Sequence, residues 1–285
     1  MASGQFCFNN TIASDLADDS VFKSLDRLLK QMDVVNLNQG KKGRLDIHNS
    51  DIPILCQSCE ARHKGICGAL TSEQLVKLSK HTTLHIVHAE QQIGYEGETI
   101  KRYSNILRGV VKLTKLTADG RQQIIGLQFA PDFVGRPFSK ENDVAVEAAT
   151  EVKLCSFPKD VLEKLTNESP ELEHRLHEQS LKELGEAREW MLMLGRKSAA
   201  ERVANFLHFI AVHIDPEISR VRGSQFYEIP LKRGDIADFL GLTIETVSRQ
   251  ITKLRQSGVI KIANNRMVEI PDLERLRALT ETNSE

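Results

Sequence analysis

The stretch from Lys232 to Ile270 runs helix, turn, helix and paired strands with so few residues between them that it leaves little choice of fold. Lys232–Leu240 has the pattern of a short helix, and Gly241-Leu242 reads as a turn. Thr243 offers its hydroxyl to the free N–H groups of a second helix, predicted from Ile244 to about Gln256 and closed by Ser257-Gly258. At about 100° per residue, Val247, Ile251 and Leu254 share one side of that helix. Glu245, Ser248, Arg249 and Thr252 cluster on the other. Val259–Ile262 and Met267–Ile270, around Ala263-Asn-Asn-Arg266, read as a two-stranded wing.

The polar set suits base edges. An Arg makes two parallel hydrogen bonds to guanine O6 and N7, and a carboxylate accepts from the amino group of cytosine. Lys253 and Arg255 lie at the flanks, in reach of phosphates, which add salt-dependent affinity but little sequence information. The net charge of −1 conceals a local field. Residues 196–266 carry 12 Lys/Arg against 7 Asp/Glu, so the remainder of the chain is at −6. Extending the window to Glu285 gives 14 against 12, so the basic region is confined. Confined positive charge is what phosphate binding requires. A solvated Glu/Arg face would explain the helix alone, but not the helix, wing and charge together. Double-stranded DNA is the expected partner.

The 285 residues suit two domains with a helical joint. Between His81 and Phe157 alternating segments such as Val110–Thr117 are bounded by Gly94, Gly97, Gly109, Gly120, Gly126 and Gly135, as in a β-sandwich or roll. Ala118-Asp-Gly120 reads as a tight hairpin turn. A short helix from Thr71 precedes this region and helical pattern returns at Pro158, with a long run from Pro170 to about Leu194. There Leu184, Ala187, Met191 and Leu194 follow a coiled-coil spacing, and Leu181, Leu184, Ala187, Arg188 and Met191 are the expected dimer interface. Glu183 and Glu186 are expected to border that seam, repelling between copies. The expected architecture is α+β: an extension (1–50), a cysteine loop and β-roll sensor domain (51–165), a dimerisation helix (166–197) and a winged helix-turn-helix domain (198–285). No apolar run approaches the roughly 20 residues of a membrane span, and the N-terminus lacks a secretory pattern, so a cytoplasmic location is expected. One amphipathic stretch, Val21 to Met32, falls in the extension.

Three of the five cysteines crowd into Cys56-Gln-Ser-Cys59-Glu-Ala-Arg-His63-Lys-Gly-Ile-Cys67. In a cytosolic chain that implies metal or redox chemistry rather than a disulfide framework. With His63 the set would be three thiolates and an imidazole, a zinc site. With Cys155 it would be four thiolates, suited to zinc or a [4Fe–4S] cluster. Spacing leaves both open. Gly65 and Gly68 would let backbone approach a bulky cluster, and Arg62 and Lys64 would offset its charge, which leans toward iron–sulfur. Cys7 reads as an ordinary thiol.

Three N-terminal cysteines, a further one ending Glu-Ala-Ala-Thr-Glu-Val-Lys-Leu-Cys155, a long helix and Ile244-Glu-Thr-Val-Ser-Arg249 together resemble the FNR-type oxygen-sensing regulators of the CRP/FNR family. The likeness covers nearly everything after residue 45, and the seven residues between Cys59 and Cys67 resemble the FnrL/FnrN subgroup. The resemblance implies an oxygen-labile [4Fe–4S] cluster on Cys56, Cys59, Cys67 and Cys155, with His63 only a neighbour. It also implies a homodimer through the long helix, TTGAT-like half-sites in inverted repeat, DNA contacts from Glu245, Ser248, Arg249, Thr252 and Lys253, and RNA polymerase as a further partner. A zinc-stabilised regulator and a cyclic-nucleotide sensor are the alternatives on the same scaffold. Against the nucleotide, Arg136 stands where the cAMP-binding members place a Glu, and their Arg-Ser pair is missing. No nucleophile–base set or Gly-rich phosphate loop suggests an enzyme.

Overall fold

Short alternating segments build three four-stranded antiparallel sheets, two in the roll and one near the C-terminus, in the computed structural model, which describes residues 52–57, 59–214, 220–221 and 224–281. All belong to the unit Leu45–Glu285. The extension 1–50, with Cys7 and the amphipathic stretch from Val21 to Met32, lies outside the described residues. In chain order come α1 (Ile54–Gln57), α2 (Glu60–Lys64), a 3₁₀ turn (Ile66–Ala69) and α3 (Ser72–Ser79). The strands are β1 (Thr83–Val87), β2 (Gln92–Gly94), β3 (Arg102–Arg108), β4 (Val110–Leu116), β5 (Gln122–Phe129), β6 (Phe133–Val134), β7 (Ala145–Ala148) and β8 (Val152–Pro158). Helices α4 (Lys159–Glu168), α5 (Pro170–Arg196) and α6 (Ala199–His213) lead to β9 (Arg220–Val221) and β10 (Ser224–Glu228). The chain closes with α7 (Arg233–Leu240), α8 (Ile244–Gln256), β11 (Lys261–Ala263), β12 (Met267–Ile270) and α9 (Leu273–Ala278). No helix among the described residues is long and apolar enough to cross a membrane.

The sheet near the C-terminus has the order β11-β12-β10-β9, and the two of the roll have the orders β1-β8-β3-β6 and β2-β7-β4-β5. Alternate residues of both sheets meet in an inner core of Ile106, Val111, Val134, Val146, Val152 and Leu154. The opposite residues of the first sheet, Tyr103, Phe133 and Phe157, pack with Leu162, Leu165, Leu172 and Leu176 of the following helices. Two details of the turns differ from the sequence reading. The β4–β5 connection takes positive φ at Gly120 alone, with Thr117 N–H donating to Arg121 O at 2.9 Å, so it is wider than a two-residue hairpin. Gly126 lies inside β5 beside a bulge that leaves Ile125 unpaired and exposed, rather than in a turn.

The cysteine segment, expected as a loop, is helical. Ile66 is fully buried in the cluster that holds Leu172 and Leu176, and that anchor fixes the 3₁₀ turn against the base of α5. A Cβ on Gly68 would stand 2.8 Å from Arg62 O and 3.1 Å from His63 O. Gly68 therefore serves the packing of the turn on α2, not clearance for a cluster.

Helix α5 begins at Ser169, whose Oγ accepts from Leu172 N at 3.4 Å, with Pro170 in the first turn. Its two faces differ sharply. Leu172, Leu176 and Met193 are buried, while Leu181, Leu184, Ala187, Arg188, Met191 and Leu192 are exposed. Leu194, assigned to the seam by spacing, packs on the core of the C-terminal domain instead. Glu183 and Glu186 also turn toward their own chain. Glu183 accepts from Gln128 Nε2 and Gln179 Nε2, both at 3.3 Å, and Glu186 lies 3.7 Å from Lys182 and 3.8 Å from His213. Burial raises the Glu183 pKa above the ordinary carboxylate value, and Asp132 and Glu186 add to this. A carboxyl whose folded pKa is raised costs stability as pH climbs from its unfolded value through its folded one. Glu183→Gln is therefore expected to raise the thermal midpoint at pH 7 and leave it little changed near pH 4, read by thermal unfolding at both.

The second sheet turns its outer face to the C-terminal domain. Val110, Ile124, Leu127 and Phe129 join Phe206, Ile210, Ile236 and Phe239 in one core, and Trp190 of α5 meets the Phe209 and Phe239 rings at 4.8 and 4.5 Å. In this interface lies Lys112, in register with Glu147. Its ammonium is 2.8 Å from both Glu147 and Asp235, the latter in the first turn of α7. Burial alone lowers the pKa of Lys112, but bonds to Asp235 and Glu147 outweigh it, so the group is firmly charged.

Candidate functional site

Local sequence sets the exposed face of α8. Gly241 takes the left-handed conformation (φ 59°) that ends α7, and Thr243 Oγ1 accepts from Thr246 N at 3.2 Å to start α8. Val247 and Ile251 are buried beneath, so Glu245, Ser248, Arg249 and Lys253 are presented to solvent, with Ile244 half exposed beside them. Thr252 is the exception among the expected readers. It is half-buried, and its hydroxyl donates to Ser248 O at 2.9 Å. The carboxyl of Glu245 is held below the usual range by its own backbone N–H and the Thr243 hydroxyl, so it is an acceptor at neutral pH.

The wing is the hairpin β11–β12. Asn264 and Asn265 both take positive φ (50° and 60°) in the three-residue connection that lets Ala263 pair with Met267. Arg233 Nη2 donates to Asn265 O at 3.1 Å, tying the wing tip to the start of α7. Arg202, which drew no attention in sequence, bridges two helix ends: it donates to Leu194 O (2.7 Å) and Lys197 O (2.9 Å) at the end of α5 and to Leu240 O (3.0 Å) at the end of α7. A guanidinium at helix C-termini satisfies orphan carbonyls and opposes their dipoles, so it sets the domain against the end of α5. Arg249→Ala is expected to cost about 1–3 kcal/mol on a preferred site and relax base choice there. Lys253→Ala should weaken all sequences alike and reduce the salt slope by about 1. Anisotropy titrations at several salt concentrations separate the two.

The second candidate site lies at the other end of the molecule. Cys155 on β8 is in register with Leu84 of β1 and Asn105 of β3, so all three share the face that the cysteine helices cover. Asn105 Nδ2 donates to Cys67 Sγ at 3.2 Å. Cys56, Cys59, Cys67 and Cys155 are all half-buried free thiols, whereas His63 is exposed. Burial pushes the Cys67 thiol far above its ordinary pKa, and nearby Cys155, Cys56 and Cys59 push it further, in that order. Cys155 is pushed up to about 12 by burial and then by Cys59 and Cys56. Cys56 is raised by burial and by Cys59. The four thiols are thus mutual neighbours, brought together from segments about ninety residues apart in the chain. Among the described residues, no three His, Cys, Asp or Glu side chains are gathered closely enough to hold a single metal ion. A tetrahedral zinc site with Zn–S near 2.3 Å would need sulfurs roughly 3.8 Å apart. A cluster of four irons would take four thiolates set wider apart than that, and the donor set here is all sulfur.

The nucleotide alternative finds little chemistry in the roll. Arg136 is exposed and paired with Asp143. Lys112, the roll's buried cation, already has two carboxylates. Glu163 Oε1 accepts from Tyr103 Oη (2.8 Å) and Phe138 N (2.9 Å), fastening the loop after Gly135 to α4. A depression of 330 Å³ nearby sets Lys101 and Lys159 against Asp160 and Glu163, which offers no net attraction to a phosphate.

A β-roll joined by a long helix to a winged helix-turn-helix with an exposed polar face on its second helix defines a DNA-binding transcription regulator. Residues 201–279 match the Crp-like helix-turn-helix domain and residues 85–169 the cyclic nucleotide-binding domain. The chain is 50% identical over 236 residues to a probable transcriptional activator of Rhizobium leguminosarum bv. viciae, covering 83% of this chain and 97% of that one. It is 36% identical to the transcriptional activator protein FnrL of Cereibacter sphaeroides, over 78% and 90% of the two chains. The solved structure of FixK2 from Bradyrhizobium japonicum superposes with a TM-score of 0.63 at 30% identity, covering 71% of this chain and 99% of that one. The chain belongs to the CRP/FNR family.

Proposed function

We propose that this regulator is an oxygen-responsive transcription activator that binds inverted-repeat DNA as a homodimer while Cys56, Cys59, Cys67 and Cys155 hold a [4Fe–4S] cluster. The observation that carries the reading is the strand register: Cys155 sits beside Asn105, which itself reaches Cys67, so thiols from both ends of the roll face one place. When bound there, such a cluster supplies an oxygen-labile link between those segments. The chain's own residues supply the rest. Ile66 seats the cysteine turn in the cluster shared with Leu172 and Leu176, and the turn touches α5 directly. Holding Cys56, Cys59 and Cys67 to β8 therefore fixes the base of α5, and freeing them loosens it.

Further along that helix, Leu181, Leu184, Ala187, Arg188 and Met191 form an exposed stripe that supports pairing with a second copy. Pairing would set two α8 helices into major grooves about 34 Å apart. Activation by the named relatives supports a further contact with RNA polymerase. Leu184→Glu is expected to leave the chain folded but monomeric by sedimentation, with DNA affinity reduced at least tenfold. A dimer of undiminished affinity would remove α5 as the seam. The cofactor is tested by iron, sulfide and zinc content of anaerobic protein: about four irons per chain support the reading, and colourless protein with zinc alone overturns it.

A further inference from the structure

The position of Asn105 has a chemical reason that neither the sheet nor the core supplies. It lies on β3 at 1% exposure, on the face that carries Tyr103, Phe133 and Phe157 together with Cys155. An apolar residue would pack there without a desolvated amide. The amide is only half used: Nδ2 donates to Cys67 Sγ, and Oδ1 has no hydrogen-bond partner. Its strand neighbour in register is Cys155. One buried side chain thus bridges, by a bond and by register, the two thiols that come from opposite ends of the roll.

The geometry points to Asn105 as a positioning residue for the metal centre, its N–H orienting Cys67 Sγ as a thiolate ligand. The inference rests on the cysteine site proposed above and adds a function for a residue outside the ligand set. The chemistry is selective. A thiolate has only lone pairs to offer, so it wants a donor, and an amide provides one without charge. Hydrogen bonds to ligand sulfur hold the ligand in orientation, and their loss typically costs metal affinity. They also set cluster potential. Leu would fill the same space with no donor. Asp would keep the shape and turn a lone pair on the sulfur.

The test compares wild type, Asn105→Leu and Asn105→Asp as full chains. Each is titrated anaerobically with cobalt(II), read by thiolate-to-cobalt charge-transfer absorption, and reconstituted with iron and sulfide, read by the visible spectrum and reduction potential. Thermal unfolding of the metal-free proteins separates folding from binding. The expected result is cobalt affinity lower by roughly 10–100-fold in Asn105→Leu and lower still in Asn105→Asp. The reconstituted Asn105→Leu protein should show a shifted charge-transfer band and a more negative potential. Cobalt affinities and spectra equal to wild type would overturn the role of Asn105, as would losses that merely track lower thermal midpoints. Wild type that takes up no iron and sulfide would overturn the cluster reading instead, and the cobalt series then decides Asn105 without it.

Discussion

Replacing Lys112 by Met is expected to cost the folded chain about 3–5 kcal/mol. The side chain is 6% exposed and stands 2.8 Å from both Glu147 and Asp235, which are 12% and 17% exposed. Taking away the ammonium leaves two carboxylates close together, out of water and without a counter-charge. Removing one member of a buried ion pair is far more damaging than replacing the whole set with apolar groups. Adding Glu147→Leu and Asp235→Asn to Lys112→Met should therefore recover much of the loss. Asn is the choice at Asp235 because that carboxylate also accepts from Lys232 N at 3.3 Å and caps α7. Urea unfolding measures this, and Trp190, the chain's one tryptophan, reports from the same interface. A loss under about 1 kcal/mol would mean that the group is solvated as a surface pair is. The consequence is functional as well, because Asp235 opens the helix that supports α8. A weakened pair lets the reading head move against the roll.

Cys155→Ala should abolish the response to air while sparing the fold. Cys155 is a half-buried residue on β8, and its backbone pairs with both β1 and β3 whatever the side chain. Loss of one of four thiols should take anaerobic iron content below about one per chain, against about four. Anaerobic DNA affinity should then fall to the aerobic wild-type level. A coupling of the usual 1–3 kcal/mol between two sites makes that a drop of about 5–150-fold. His63→Ala, changing an exposed neighbour, should alter neither quantity. The pair of variants separates the four-thiolate set from the three-thiolate, one-imidazole set directly.

Where structure follows from adjacent residues, the sequence was readable. Helix α8 runs from Ile244 to Gln256 as read, because Thr243 and Gly258 mark its ends within a turn. The wing follows from alternation on both sides of Asn264-Asn265, residues that tolerate positive φ. The faces of α5 were only half legible. Apolar residues recur at heptad-like spacing on both sides, so the pattern could show an exposed stripe at Leu184 and Met191 but misplaced Leu194, and it gave no sign that Glu183 and Glu186 bond within their own chain. Which stripe faces inward is decided by the roll, through Gln128 and the core around Phe239.

The candidate site divides along the same line. The cysteine group and the exposed polar face of α8 were visible as motifs, while Thr252 was not seen to spend its hydroxyl on Ser248 O. Lys112 looks like any strand lysine until Asp235, 123 residues later, is folded against it. Asn105 and Arg202 act through contacts that no local spacing encodes. The cysteine segment was read as a loop because its helices are short, and their order comes from Ile66 reaching the helical core.

The central claim is that DNA affinity depends on what the four thiols hold. One anaerobic sample settles it: record the visible spectrum with iron and sulfide content, titrate labelled inverted-repeat DNA, admit air, and repeat both on the same protein. The account predicts a broad iron–sulfur band with about four irons per chain, bleaching in air, and DNA affinity falling with the band. Full DNA affinity in a colourless protein, unchanged by air, would contradict it.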